Sequence, residues 1–176
     1  MAAIPDEGRN ARLLIRRSQT ASLATVLAEG GGPYASLVTV ATDLAGFPLL
    51  LLSRLAWHTQ NLLAEPRASL LFAGPVAAGA DPLTGARVSV QGEMQQIAPE
   101  MARARYLARH PQAAVYAGFA DFSWWRMVPQ SVHLVAGFGR IATLTPQQVF
   151  LSPEDCESLG EVIPSALSHM AEDHAD

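Results

Sequence analysis

His58 sits in the segment Ser53-Arg54-Leu55-Ala56-Trp57-His58-Thr59-Gln60-Asn61-Leu62-Leu63-Ala64-Glu65-Pro66, whose residue types suit the binding of an anion. A helix capped by Ser53 and stopped by Pro66 puts Arg54, His58 and Asn61 at i, i+4 and i+7 on one side. Leu55, Leu62 and Leu63 then turn toward a core. Unpaired N–H groups at a helix start, the positive end of its dipole and such a polar stripe together suit a phosphate. Arg87, Ser89 and Gln91 share one face of a strand, which alternation alone turns to solvent. His169 and Asp173 stand at i, i+4 beside Glu172 and His174; such a cluster could ligate a metal or a heme iron, although a charged chain end is the plainer reading. The pair Trp124-Trp125 points to opposite faces of a strand and reads as packing, while His110 and His133 read as structural.

The elements that must position these residues follow from the hydrophobic pattern. A helix is expected over 6–17, with Leu13 and Leu14 inward and Arg9, Arg12 and Arg16 along a polar side. Strands over 20–27 and 34–40 flank a glycine-rich turn and read as a hairpin. The run 47–52 is apolar throughout and short, as in a strand buried on both faces. Further strands are expected over 67–72 and 87–95, with a loop over 76–85, a helix over 99–109, and a β region over 122–144 broken at Pro129 and at 137–139. A helical stretch begins at Pro153. Six or seven mostly consecutive strands with helices inserted argue for a mainly β (α+β) antiparallel barrel with peripheral helices, not a doubly wound sheet. The expected organisation is one barrel domain over 1–150 and a helical tail over 151–176.

Composition excludes several chemistries. All twelve basic side chains are arginine, so Schiff-base chemistry and a lysine general base are ruled out. A net charge of −4 disfavours nucleic-acid binding. Cys156 is the single cysteine, so there is no intramolecular disulfide and no cysteine-rich metal site. No signal-peptide pattern and no apolar run of membrane-spanning length is present, so a cytoplasmic protein without membrane association is expected. Neither a dinucleotide-binding glycine pattern nor a GxSxG elbow occurs. A hydrophobic fraction of 49% points to an apolar surface such as a subunit interface.

The words Pro33-Tyr34-Ala35-Ser36-Leu37-Val38, Leu52-Ser53, His58-Thr59, Asn61-Leu62, Pro66-Arg67-Ala68-Ser69-Leu70-Leu71 and Arg87-Val88-Ser89-Val90-Gln91-Gly92, in this order, resemble the FMN-binding split barrel of the pyridoxamine 5'-phosphate oxidase-like proteins. The likeness covers roughly 10–145. Asp81-Pro82-Leu83, Arg105-Tyr106-Leu107-Ala108-Arg109-His110-Pro111 and Gly137-Phe138-Gly139-Arg140 are similar to its heme-utilisation branch. The resemblance implies an antiparallel split β-barrel forming a homodimer, with FMN at the subunit interface and a small-molecule redox substrate. It implies FMN-phosphate contacts from Ser53, His58 and Thr59, with Asn61 on the same helix, a flavin contact from Arg87, and Ser36 and Val38 on the strand under the flavin ring. Ser36 stands where the oxidases carry a phosphate-binding arginine and Ala41 where they carry a substrate-binding lysine. Tyr106 keeps a substrate tyrosine, and His110 replaces a nearby arginine. Oxidation of pyridoxamine phosphate is therefore not expected. The heme branch implies the alternative of heme binding, storage or iron release, with His169 or His174 on the iron and Asp121 of the neighbouring subunit as hydrogen-bond partner. The tail resembles the start of a further small domain found in longer relatives.

Overall fold

The computed structural model describes residues 6–137 and 139–159. Helix α1 (Asp6–Arg17) precedes strands β1 (Thr20–Val26), β2 (Pro33–Thr39), β3 (Ala41–Thr42) and β4 (Pro48–Ser53). Helix α2 (Trp57–Ala64) leads to β5 (Arg67–Ala73) and β6 (Arg87–Ile97). Then come α3 (Arg103–Arg109), β7 (Phe122–Val135), β8 (Ile141–Leu144) and α4 (Pro146–Val149). Residues 153–159 are helical.

The eight strands form one antiparallel sheet in the order β2-β1-β5-β6-β7-β4-β3, with β8 beside β7. The two ends of that order, β2 and β3, are successive in the chain and separated by Val40 alone. The sheet must therefore wrap round to bring its own edges together, and this makes it a split barrel. At the seam the Val40 carbonyl takes a hydrogen bond from His110 Nε2 at 2.8 Å, which satisfies a buried acceptor there. His110 is thus structural, as its position suggests.

Two cores result. Inside the barrel, Leu23, Val38, Leu50, Leu70, Val90 and Met127 meet α1 through Ala11 and Ile15 and α2 through Leu62. On the outer face, Leu49, Leu51 and Trp124 are covered by Tyr106, Ala113 and Ala117. Alternation sends Leu50 and Leu52 inward and Leu49 and Leu51 outward, so β4 is buried on both faces. Trp124 and Trp125 divide between the two cores in the same way. Among the described residues no helix is long and apolar enough to cross a membrane.

Several expectations need correction. Pro129 does not break the sheet: β7 runs through it, with Gly92 opposite Pro129 and Gln91 opposite Ser131, so Gln130 is the extra residue of a bulge. A proline has no N–H to give to the ladder, and a bulge is where its absence costs least. The 99–109 helix divides into a 3-10 turn, Pro99–Met101, and α3. In α1, Leu13 is 36% exposed, and Gly8, Ala11 and Ile15 form the inward face. Arg12 and Arg16 are not solvated: each spans to another segment, donating to the carbonyls of Val149 and Leu44 respectively.

Candidate functional site

The expected phosphate helix is shorter than its sequence suggests. Helix α2 starts at Trp57 with Ala56 at the N-cap, and no side chain caps it. Ser53 is the last residue of β4; its Oγ donates to Asp121 Oδ2 at 2.7 Å and accepts from the Leu55 N–H at 3.2 Å. A hydroxyl held by a nearby carboxylate stabilises the strand-to-helix turn instead of capping the helix. Arg54 lies in that turn and not on the helix. Its guanidinium donates to the Ala120 carbonyl at 3.0 Å and its N–H to the Asp121 carbonyl at 2.7 Å. Ser53, Arg54 and Asp121 therefore staple the turn to the 119–121 segment of the same chain.

The polar stripe also splits. Asn61 faces inward, 4% exposed; its Oδ1 accepts from the Ala28 N–H at 3.1 Å and its Nδ2 donates to Thr25 Oγ1 at 3.0 Å. It ties α2 to the first hairpin and is closed to a ligand. Thr59 is wholly buried, and its Oγ1 has no hydrogen-bond partner among the described residues. Leu55 and Leu63, expected in the core, are 78% and 58% exposed, and Leu62 alone of the three is buried. Leu55 lies before the helix begins, and Thr59, Asn61 and Leu62 form its inward side, which leaves Leu63 outside.

What remains is His58. Its Nδ1 lies 3.1 Å from Ser36 Oγ on β2. The ring is half-buried, and burial lowers its pKa below the ordinary 6.5, so it is neutral at pH 7. In the tautomer whose Nδ1–H donates to the Ser36 hydroxyl, the other nitrogen of the neutral imidazole holds a lone pair for a metal or a proton. Beside it stands an apolar rim: Trp57 is 64% exposed and its ring lies 5.9 Å from that of Tyr34.

The other site residues lie elsewhere. Val38 is 6% exposed and belongs to the barrel core. Arg87 is three strands away from Ser36 along the sheet order, and its guanidinium donates to the Leu83 and Gly85 carbonyls at 2.9 and 3.4 Å. Tyr106 is wholly buried, with its hydroxyl 2.6 Å from Thr39 Oγ1, so it is closed to a substrate. His169 and His174 lie outside the described residues. Among the described residues no group of three metal-ligating side chains occurs. The Ser36–His58 pair joins two elements distant in sequence, and no spacing rule signals it. Nor does any signal mark Asn61 as buried.

An antiparallel sheet that wraps to bring its edges together, with a helix carrying His58 against its second strand, defines a split-barrel protein of the pyridoxamine 5'-phosphate oxidase-like class. The chain belongs to the CREG beta-barrel family, whose family model matches residues 3–151. It is 33% identical over 154 residues to the non-canonical heme oxygenase HOZ, chloroplastic, of Arabidopsis thaliana. That match spans 83% of this chain and 46% of the relative, so the chain covers less than half the relative's length. A heme binding protein from Mycobacterium smegmatis has a solved structure at 35% identity and a TM-score of 0.76, matching over 84% of this chain and 61% of that one. A protein of unknown function from Agrobacterium tumefaciens matches at 27% identity and a TM-score of 0.77, over 91% and 66%.

Proposed function

We propose that this chain binds heme and acts in heme handling. The observation that carries the reading is 33% identity, over 83% of the chain, to a protein named as a heme oxygenase. The site chemistry supports it. His58 offers a neutral imidazole whose second nitrogen can meet iron, Ser36 orients the ring, and Leu55, Trp57 and Leu63 provide exposed apolar surface for a porphyrin. Heme would supply the redox-active iron, and the chain's own residues would hold and orient it. Flavin has less support: Ser36 stands where the oxidases carry a phosphate-binding arginine, and Arg87, the expected flavin contact, lies three strands away and donates to the Leu83 and Gly85 carbonyls. A guanidinium is the strong partner for phosphate, and Ser36 does not supply one on β2.

Titration of the chain with hemin, and separately with FMN, tests this. Hemin is expected to produce a Soret band that Ser36→Ala weakens by about tenfold in affinity and His58→Ala by more. If hemin gives no such band, heme binding fails. A band that survives His58→Ala and disappears in His169→Ala or His174→Ala moves the ligand to the tail.

We also infer a homodimer. Among the described residues the outer sheet face is covered by the 99–120 segment over β4 and by nothing over β2, β1, β5 and β6. The bare row Leu37, Ser22, Leu71, Ser89, His133 contains no carboxylate or guanidinium. Leu37 is 74% exposed and Leu71 40%. A row without charge meets its own copy across a two-fold axis with no like-charge penalty, Arg67 and Arg87 standing on the same face outside that row. Sedimentation should report a dimer that Leu37→Asp converts to monomer; a monomeric parent chain sinks the inference.

A further inference from the structure

A second polar feature lies between α1 and α3. Arg16, Arg105 and Arg109 line one crevice of about 320 Å³ together with Ala41, Thr42 and Ala108. Three arginines share this space, and among the described residues no carboxylate lines it. The two ion pairs among the described residues, Arg67–Glu65 and Arg126–Asp43, involve none of the three. Asp43, which lines the adjoining cleft, is committed mainly elsewhere: Oδ1 accepts from the Gly46 and Phe47 N–H groups at 2.9 and 2.8 Å, and Oδ2 from Arg126 Nε at 2.7 Å.

The positive charges also feel one another. Burial first, and then the Arg105 charge, hold the Arg16 guanidinium below its ordinary pKa, with Asp43 opposing. Arg16 spends one nitrogen on the Leu44 carbonyl at 2.7 Å, and Arg109 spends one on the Arg17 carbonyl. Each therefore keeps donors in hand, since a guanidinium has five N–H groups. Concentrated like charge only partly offset by Asp43 is costly, and a doubly charged oxyanion removes that cost where a single carboxylate leaves a positive excess.

Arg105 also lines the neighbouring cleft of about 510 Å³, whose walls carry Leu44, Phe47, Met101, Leu151 and Pro153 together with the Asp43–Arg126 ion pair. A charged crevice opening beside a largely apolar one at a shared arginine suits a ligand with a dianionic head and an apolar body.

We propose that this pair of crevices binds a phosphate monoester, its phosphate oxygens on Arg16, Arg105 and Arg109 and its apolar organic part over Phe47, Met101 and Leu151. The guanidinium fork matches phosphate oxygens in geometry as well as charge. The site shares no residue with the Ser36–His58 pair, so the proposal does not rest on the heme reading.

Calorimetric titration of the full chain with phenyl phosphate at low salt tests it. Phenyl phosphate is expected to bind saturably, inorganic phosphate to compete more weakly for want of the apolar part, and benzoate to bind at least about tenfold more weakly than phenyl phosphate. Arg105→Ala should weaken phenyl phosphate by about tenfold, the loss of one charge-assisted contact. Arg103→Ala removes the same charge from the same helix but outside the crevice, and should leave affinity unchanged. Equal losses in the two variants, equal affinity for benzoate, or no saturable binding of phenyl phosphate overturns the proposal.

Discussion

Gly92→Ala is expected to cost about 3 kcal/mol or more, the upper end of what overpacking a formed core costs. A Cβ on Gly92 would lie 2.1 Å from the Val128 carbonyl oxygen, 2.9 Å from its carbon and 3.0 Å from Pro129 Cα. These are backbone atoms of the paired strand and cannot rotate aside as a side chain can. Relief requires β6 and β7 to separate at the bulge between Gln91 and Gly92. For a domain of this size the loss corresponds to a fall of roughly 6–12 °C in Tm. Thermal unfolding followed by circular dichroism reads it directly. Gly32→Ala is the control, because its added methyl meets only the Leu27 side chain, at 3.5 Å. A Gly92 variant melting with the parent chain would mean that the strands are not held at this separation.

Asp43→Ala should be the next most damaging, at about 3 kcal/mol. One carboxylate closes the 43–47 turn through two N–H groups and holds Arg126, which also lies 4.3 Å above the Phe47 ring. Its side chain is 16% exposed and that of Arg126 27%, so removing the acid leaves a largely covered guanidinium unpaired. Asp43→Asn keeps an oxygen for the two N–H groups and should recover part of the loss. Adding Arg126→Met to Asp43→Ala should recover another part, since the unpaired charge is then gone. Urea midpoints of the four chains separate the two contributions. If the double variant is no more stable than Asp43→Ala, the ion pair carries none of the effect.

The sequence speaks clearly where one period dominates. The alternation along 87–95 fixes β6, and the four leucines of 49–52 declare a strand buried on both faces, because a single element's neighbours hardly enter either inference. The family words likewise point to the split barrel before any coordinate. The helix start near Ser53 is less legible: a serine before an apolar run is a good cap signal, but a carboxylate 68 residues later takes its hydroxyl instead. Asn61 shows the same limit. Polar on a helix face, it turns inward because Thr25 and the Ala28 N–H, brought by another element, satisfy both ends of its amide. Pro129 reads as a break unless the bulge opposite it is known. Ser36 and His58, and the three arginines around the α1–α3 crevice, are tertiary coincidences that no local pattern encodes.

The wrapping of the sheet sets an order of assembly. Strand β4 follows soon after the first hairpin and pairs with β3 only at Pro48 and Leu49, yet its long ladder partner is β7, Leu49 opposite Arg126. On the ribosome the β1–β2 hairpin can pair as soon as it emerges, while Leu49-Leu50-Leu51-Leu52 must wait for the last third of the barrel. Until then an uncharged β-forming run has an open edge, the kind of segment that invites pairing with another chain. The covering of β4 on both faces in the finished barrel is thus matched by a vulnerable interval before it, and a slow-closing topology lengthens that interval.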